Sequence, residues 1–274
     1  MKASLFRNFA SSVIVMTVLV LGGSAEAATL TLGASEQGWY RQDGRNNGGP
    51  GKIGNTFTGE FKDPEVSEVL EFRSFFNFDV SDLESEIEGA TLRLPQDLYF
   101  SGDSSETVTV YDVTSATSDE LASDPPSAEG LGIFDDLGSG AVYGEGTVFG
   151  TPGVNPLTGF LEITLSAAAI SSLNEARLGS GDFSLGLALS SLGGTQVSGG
   201  EGVRFSDLLG SPASLVLQVA DTDPDPDPDH CTIVSSLVIV GCEPEPIPEP
   251  GTVLGTLAAL AFGGFTLKRR SKRD

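Results

Sequence analysis

Apolar and polar residues alternate at every second position through the middle of the chain, which predicts strands rather than helices. In the run from Phe72 to Val80, the residues Phe72, Ser74, Phe76, Phe78 and Val80 share one face. Phe75 points the other way, so this strand is expected to have protein on both sides at that point. Residues 90–94 and 107–111 alternate similarly, and further strands are expected at 160–165, 183–189, 202–205 and 214–219. Gly, Ser, Asp and Pro punctuate these runs. The regular spacing of short strands predicts an all-β fold, a β-sandwich or jelly roll. One short helix is expected over 166–176, with Ser166 as its cap and Ala169, Ile170 and Leu173 as its apolar face. A helical turn at 82–88 and a turn at Gly144-Glu145-Gly146 complete the reading of the middle.

This sandwich occupies residues 28–220, enough chain for one domain with its own core. The two ends are patterned for membranes instead. Lys2 and Arg7 precede an apolar run at 13–21 and an Ala25-Glu26-Ala27 cleavage site. Residues 1–27 therefore read as a signal peptide cut after Ala27, with a retained signal anchor as the alternative. At the other end Pro248-Glu249-Pro250 leads into an uncharged stretch, 251–267, and then Lys268, Arg269, Arg270, Lys272 and Arg273. As a transmembrane helix that stretch would span about 25 Å, the short end of what crosses a bilayer. The five basic residues favour the cytoplasmic side and place everything before Pro250 outside.

Without its ends the chain is strongly acidic. Residues 28–250 carry 8 Lys and Arg against 36 Asp and Glu, a formal charge of −28. Such a field repels nucleic acid and excludes it as a partner, while it keeps an exported domain soluble and attracts divalent cations. Residues 221–247 read as a linker. The Asp-Pro alternation at 221–229 extends the chain and its charges repel, which makes a semi-rigid spacer. Cys231 and Cys242 follow, bracketing an apolar run. In an oxidising compartment they most economically form one disulfide that staples a hairpin, the alternative being free thiols.

The order Pro-Glu-Pro, apolar helix, basic cluster over 248–274 resembles the PEP-CTERM sorting signal of bacteria. That resemblance implies recognition by exosortase, a membrane transpeptidase, processing near Pro248-Glu249-Pro250, and release to the envelope, cell surface or extracellular matrix. A second resemblance lies in the body. The run 72–80 followed by Ile87-Glu88-Gly89-Ala90-Thr91-Leu92-Arg93-Leu94, and later 183–189, Val203-Arg204-Phe205-Ser206 and 212–217, is similar to the core of DNRLRE-type domains. It implies a jelly roll like that of carbohydrate-binding modules on bacterial surface proteins. Phe160 stands where that family usually carries Trp.

Catalytic chemistry finds little purchase. The one histidine, His230, lies in the linker, which excludes a Ser-His-Asp triad in the folded core and any multi-histidine zinc site. Glycoside hydrolysis needs only two placed carboxylates, and nothing in the sequence singles out a pair. Sugar binding needs an aromatic platform with polar neighbours, and Trp39, Tyr40 and Arg41 beside the Gly-rich loop 43–51 form the best local cluster. The alternative is that Trp39 and Tyr40 belong to the packing. No cofactor is expected beyond a structural calcium ion, for which Asp135 and Asp136 in a Gly-rich loop, and Asp79, Asp82 and Glu84 after a strand, offer oxygen ligands. The expected function is a non-catalytic exported surface or matrix protein. A carbohydrate-binding module retained on exopolysaccharide is the alternative, and a glycoside hydrolase the third reading.

Overall fold

The computed structural model describes residues 28–220 apart from 63–67, 124, 126 and 207–210. The expected signal peptide, the linker with Cys231 and Cys242, and the sorting signal from Pro248 to the basic cluster lie outside the described residues. Among the described residues no helix is long and apolar enough to cross a membrane. The chain divides into two compact units, Met1–Thr222 and Asp223–Asp274, and every described residue belongs to the first.

Period-two patterning is realised as antiparallel ladders throughout. The strands are β1 (Ala28–Gly33), β2 (Glu36–Arg41), β3 (Phe57–Lys62), β4 (Val69–Asp79), β5 (Ile87–Pro95), β6 (Leu98–Ser101) and β7 (Ser105–Asp112). After them come β8 (Val142–Phe149), β9 (Gly153–Pro156), β10 (Phe160–Thr164), β11 (Asp182–Leu189), β12 (Gly200–Arg204) and β13 (Ser214–Val219). Helices α1 (Ser118–Ala122) and α2 (Ser127–Asp136) separate β7 from β8, and α3 (Ala167–Leu178) separates β10 from β11.

One sheet runs β1-β13-β5-β10. The larger sheet runs β8-β7-β11-β4-β3-β12-β6-β9, with β2 added on β4. Strand β4 is long enough to serve both arms of the larger sheet. Its Ser74–Asp79 half pairs with β11, and its Val69–Phe72 half with β3. The main core fills the space between sheets. Leu92 and Leu94 of β5, Leu215 and Leu217 of β13 and Ile163 of β10 meet Phe76 and Phe78 of β4, Val108 and Val110 of β7, and Leu185 and Leu187 of β11. Burial of such side chains stabilises by roughly 1.5–3 kcal/mol each, so this cluster dominates the fold's free energy.

Phe75 does face away, as the sequence predicts. It joins a second cluster with Tyr40, Leu121, Ile133, Phe134 and Leu137, supplied by α1 and α2. The chain therefore has three helices among the described residues, not one. Helix α1 is started by a reciprocal cap, in which the Thr117 hydroxyl accepts from Glu120 N–H and the Glu120 carboxylate accepts from Thr117 N–H. Helix α2 carries Gly130 and Gly132, which lower helix propensity and hide it from a pattern search. Gly130 is needed there, because a Cβ would lie 2.0 Å from the Gly44 carbonyl oxygen. Helix α3 forms where expected: Ser166 caps it, and Ala169 and Leu173 are buried. Its Asn174 reaches β5, accepting from Ile87 N–H at 3.0 Å and donating to Ile87 C=O at 2.8 Å.

Two further expectations are corrected. Residues 82–88 form no helical turn, since β5 already begins at Ile87. Gly144-Glu145-Gly146 is not a turn but the middle of β8. Both glycines lie against Ile163, whose side chain sits 2.8 Å from where either Cβ would be, so bare backbone lets β10 approach β8.

Candidate functional site

Strand β2 sends alternate residues to opposite sides, and this divides the Trp39, Tyr40 and Arg41 cluster. Tyr40 is fully buried. Its ring packs against Phe75 at a centroid separation of 5.8 Å, and its hydroxyl donates to the carbonyls of Leu121 and Glu120 at the end of α1. It pins the helical cover to the sheet and has no face left for a sugar, which corrects its assignment as a glycan contact. Arg41 is 6% exposed and is held by Asp43, with Nε and Nη2 donating to the two carboxylate oxygens at 2.8 and 2.6 Å. The Arg41 hydrogen bond, aided by Arg45, holds the half-exposed Asp43 carboxyl below its usual range despite partial burial. Arg41 is thus a structural partner of its own loop, and it too is corrected as a glycan contact.

Trp39 alone turns to a hollow. It lies half-buried, edge-on to Phe72 with ring centroids 5.0 Å apart, and Phe57 meets the same Phe72 ring edge-on at 5.3 Å. Phe61 and Phe100 close the far side, 5.5 Å apart. The hollow measures about 360 Å³, within the range of small-molecule sites. Two of its rings end one cross-strand row: Phe72 of β4 pairs with Gly59 of β3, Gly59 with Gly202 of β12, and Gly202 with Phe100 of β6. The two glycines let the strands that carry these rings pack closely. Gly59 holds φ at +138°, and a Cβ there would lie 2.2 Å from the Glu201 carbonyl oxygen. At Gly202 a Cβ would lie 2.7 Å from the Phe57 ring. Asn55 and Arg204 also border the hollow but turn almost no polar surface into it, and the Arg204 Nε donates to Asp97.

The acidic candidates of the sequence behave otherwise than expected. Asp135 and Asp136 are the last residues of α2, not part of a loop. The Asp136 carboxylate accepts from the backbone N–H groups of Thr114 and Ser115 at 2.8 and 2.9 Å, and so ties down the chain entering α1. The Asp135 carbonyl accepts from Arg73 at 3.2 Å and from the Ser139 hydroxyl at 2.9 Å. Asp79 accepts from the backbone and hydroxyl of Ser81. The Asp136 and Asp79 carboxylates thus anchor loops, whereas the bonds at Asp135 are made by its backbone carbonyl and not by its carboxylate.

Carboxylates do converge elsewhere. Asp103, Glu106 and Glu201 offer oxygens that all lie within 4.8 Å of one another. Glu106 and Glu201 are 1% and 0% exposed. Each occupies a core-facing strand position: Glu106 precedes Val108 and Val110 on β7, and Glu201 precedes Val203 on β12. Burial and then the Glu106 charge push the Glu201 carboxyl from its ordinary 4.5 up to about 7, against the pull of backbone N–H groups at Gly193 and Gly194. The sequence carries a signal for these residues, a Glu on the apolar face of an alternating strand, twice. The eye passes over it because in an acidic chain a Glu beside a strand reads as solvated surface.

No family model matches the chain, and no curated protein matches it.

Proposed function

We propose that this chain is a non-catalytic, exported component of the cell surface or extracellular matrix, whose jelly-roll domain holds polysaccharide in the aromatic hollow. The observation that carries the binding role is the Phe72-Gly59-Gly202-Phe100 row beside Trp39. A pyranose ring presents an apolar C–H face that stacks on an aromatic surface, and here several rings border one hollow. A lining so poor in hydrogen-bond groups favours sugars with apolar substituents, such as deoxy or acetylated residues.

Export rests on the sequence ends. An exosortase-type enzyme would take the chain by its PEP-CTERM-like tail, held in the membrane until processing near Pro248-Glu249-Pro250. Intact mass of the surface form is expected to lack both residues 1–27 and the basic cluster; a surface form that keeps Arg273 ends the processing claim. Trp39→Ala is expected to weaken retention on the producing cell's exopolysaccharide by at least about tenfold, as loss of a central aromatic anchor does. Affinity electrophoresis through that polysaccharide measures it, with circular dichroism to show an intact fold. Unchanged mobility of a folded Trp39→Ala chain rules the hollow out as the glycan site.

A further inference from the structure

We infer that Asp103, Glu106 and Glu201 form a calcium site that closes one end of the β-sandwich core. This stands independently of the polysaccharide reading and uses residues remote in sequence, on the β6–β7 connection, β7 and β12.

The oxygens are divided in a way that hydrogen bonding does not explain. Each carboxylate commits one oxygen to the connection between β11 and β12. Glu106 Oε2 accepts from the Ser191 hydroxyl, Glu201 Oε2 from Gly193 N–H at 3.3 Å, and Asp103 Oδ2 from Thr195 N–H at 2.8 Å. The other oxygens of the two buried glutamates, Oε1 of each, have no hydrogen-bond partner. No Lys or Arg among the described residues stands in ion-pairing contact with the trio; the pairs present, such as Arg41–Asp43, Arg73–Glu71 and Arg204–Asp97, leave it out. Buried anionic oxygens facing one another without donor or cation are the costliest arrangement in a protein interior, and a bound cation removes that cost.

Ligand chemistry selects the ion. Three carboxylates and no nitrogen or sulfur ligand suit a hard cation. Oxygens within 4.8 Å of each other fit the shell of an ion bound at about 2.3–2.6 Å. Magnesium keeps several of its waters, which two glutamates at 1% and 0% exposure leave little room to accommodate. The glycine at 194 belongs to the same design. A Cβ there would lie 2.1 Å from Asp103 Oδ2 and 2.9 Å from Glu201 Oε1. At Gly194 the 191–195 segment can close on the carboxylates only as bare backbone. With the ion bound, the β6–β7 segment and β12, already linked through the β11–β12 connection, would share one ligand shell as well.

The test is a thermal melt of the full chain at pH 7.5, stripped with chelator and then given calcium chloride, magnesium chloride or neither. Saturating calcium is expected to raise the melting temperature by at least about 5 °C, and magnesium by clearly less. Glu201→Gln and Glu106→Gln are each expected to melt cooperatively without calcium and to lose most of the calcium-dependent rise. Asp135→Asn is expected to keep the whole rise. A melting temperature indifferent to calcium overturns the site and leaves a proton shared between the glutamates in its place. A rise that survives both glutamine variants overturns it too, and assigns the ion to other acids of the chain.

Discussion

In calcium-free buffer, the stability attributable to Glu201 is expected to fall by about 2–3 kcal/mol between pH 4.5 and pH 8. The direction follows from where the proton sits. In the unfolded chain the Glu201 carboxyl titrates near 4.5, while in the folded domain burial and the neighbouring Glu106 raise it to about 7. Between those values the folded state binds the extra proton, so each step up in pH favours unfolding. The contribution is therefore fully present below 4.5 and is lost as the pH passes through 7. Urea midpoints measured with chelator across this range, for the natural chain and for Glu201→Gln, isolate the effect as a difference. Glutamine carries no proton to lose, so the gap between the two chains should widen toward high pH in favour of the variant. A constant gap would mean that Glu201 ionises in the folded state as easily as in water.

Gly59→Ala is expected to cost at least about 3 kcal/mol, more than truncating most single core side chains to the next smaller one. Two penalties coincide there. The backbone φ of +138° strains any side chain, and the new Cβ would approach the Glu201 carbonyl oxygen to 2.2 Å. That carbonyl sits in the β3–β12 ladder and cannot swing aside without breaking it. The same variant should damage the hollow and the acidic joint together, because Gly59 pairs with Phe72, which lines the first, and abuts the strand that delivers Glu201 to the second. A denaturant midpoint within experimental error of the natural chain would show that β3 and β12 can separate locally, contrary to the packing described above.

How much of this was legible beforehand depended on side-chain alternation. The strand β4 could be read, including the reversal at Phe75, since bulky residues mark both of its faces. So could β5, β7, β10, β11, β12 and β13, and the capped helix α3. The strands β3 and β8 could not, because Gly59, Gly144 and Gly146 sit where the period calls for side chains, and Gly144-Glu145-Gly146 reads instead as a turn. Strand β2 was obscured similarly, its Trp39-Tyr40 pair drawing attention as a surface cluster when adjacent strand residues point apart. Helices α1 and α2 were hidden by the Ser, Asp, Pro and Gly around them, and with them the true setting of Asp135 and Asp136. The hollow depends on cross-strand registry among β4, β3, β12 and β6, which a linear sequence does not display. In the acidic trio Glu201 stands about half the length of the domain from Asp103 and Glu106, and only the pairing of β6 with β12, and the placing of β7, bring it to them.

The strand that leaves the domain is not at an edge. Strand β13 is held along both sides, by β1 from Ala28↔Val219 to Gly33↔Ser214 and by β5 from Ser214↔Arg93 to Val219↔Ile87. A pull entering at Val219 therefore runs along two ladders at once and loads their hydrogen bonds in shear, so they resist in parallel rather than opening one after another. On the proposed reading, in which the chain is held from its C-terminal side, that routing would spread a load over both ladders of the smaller sheet.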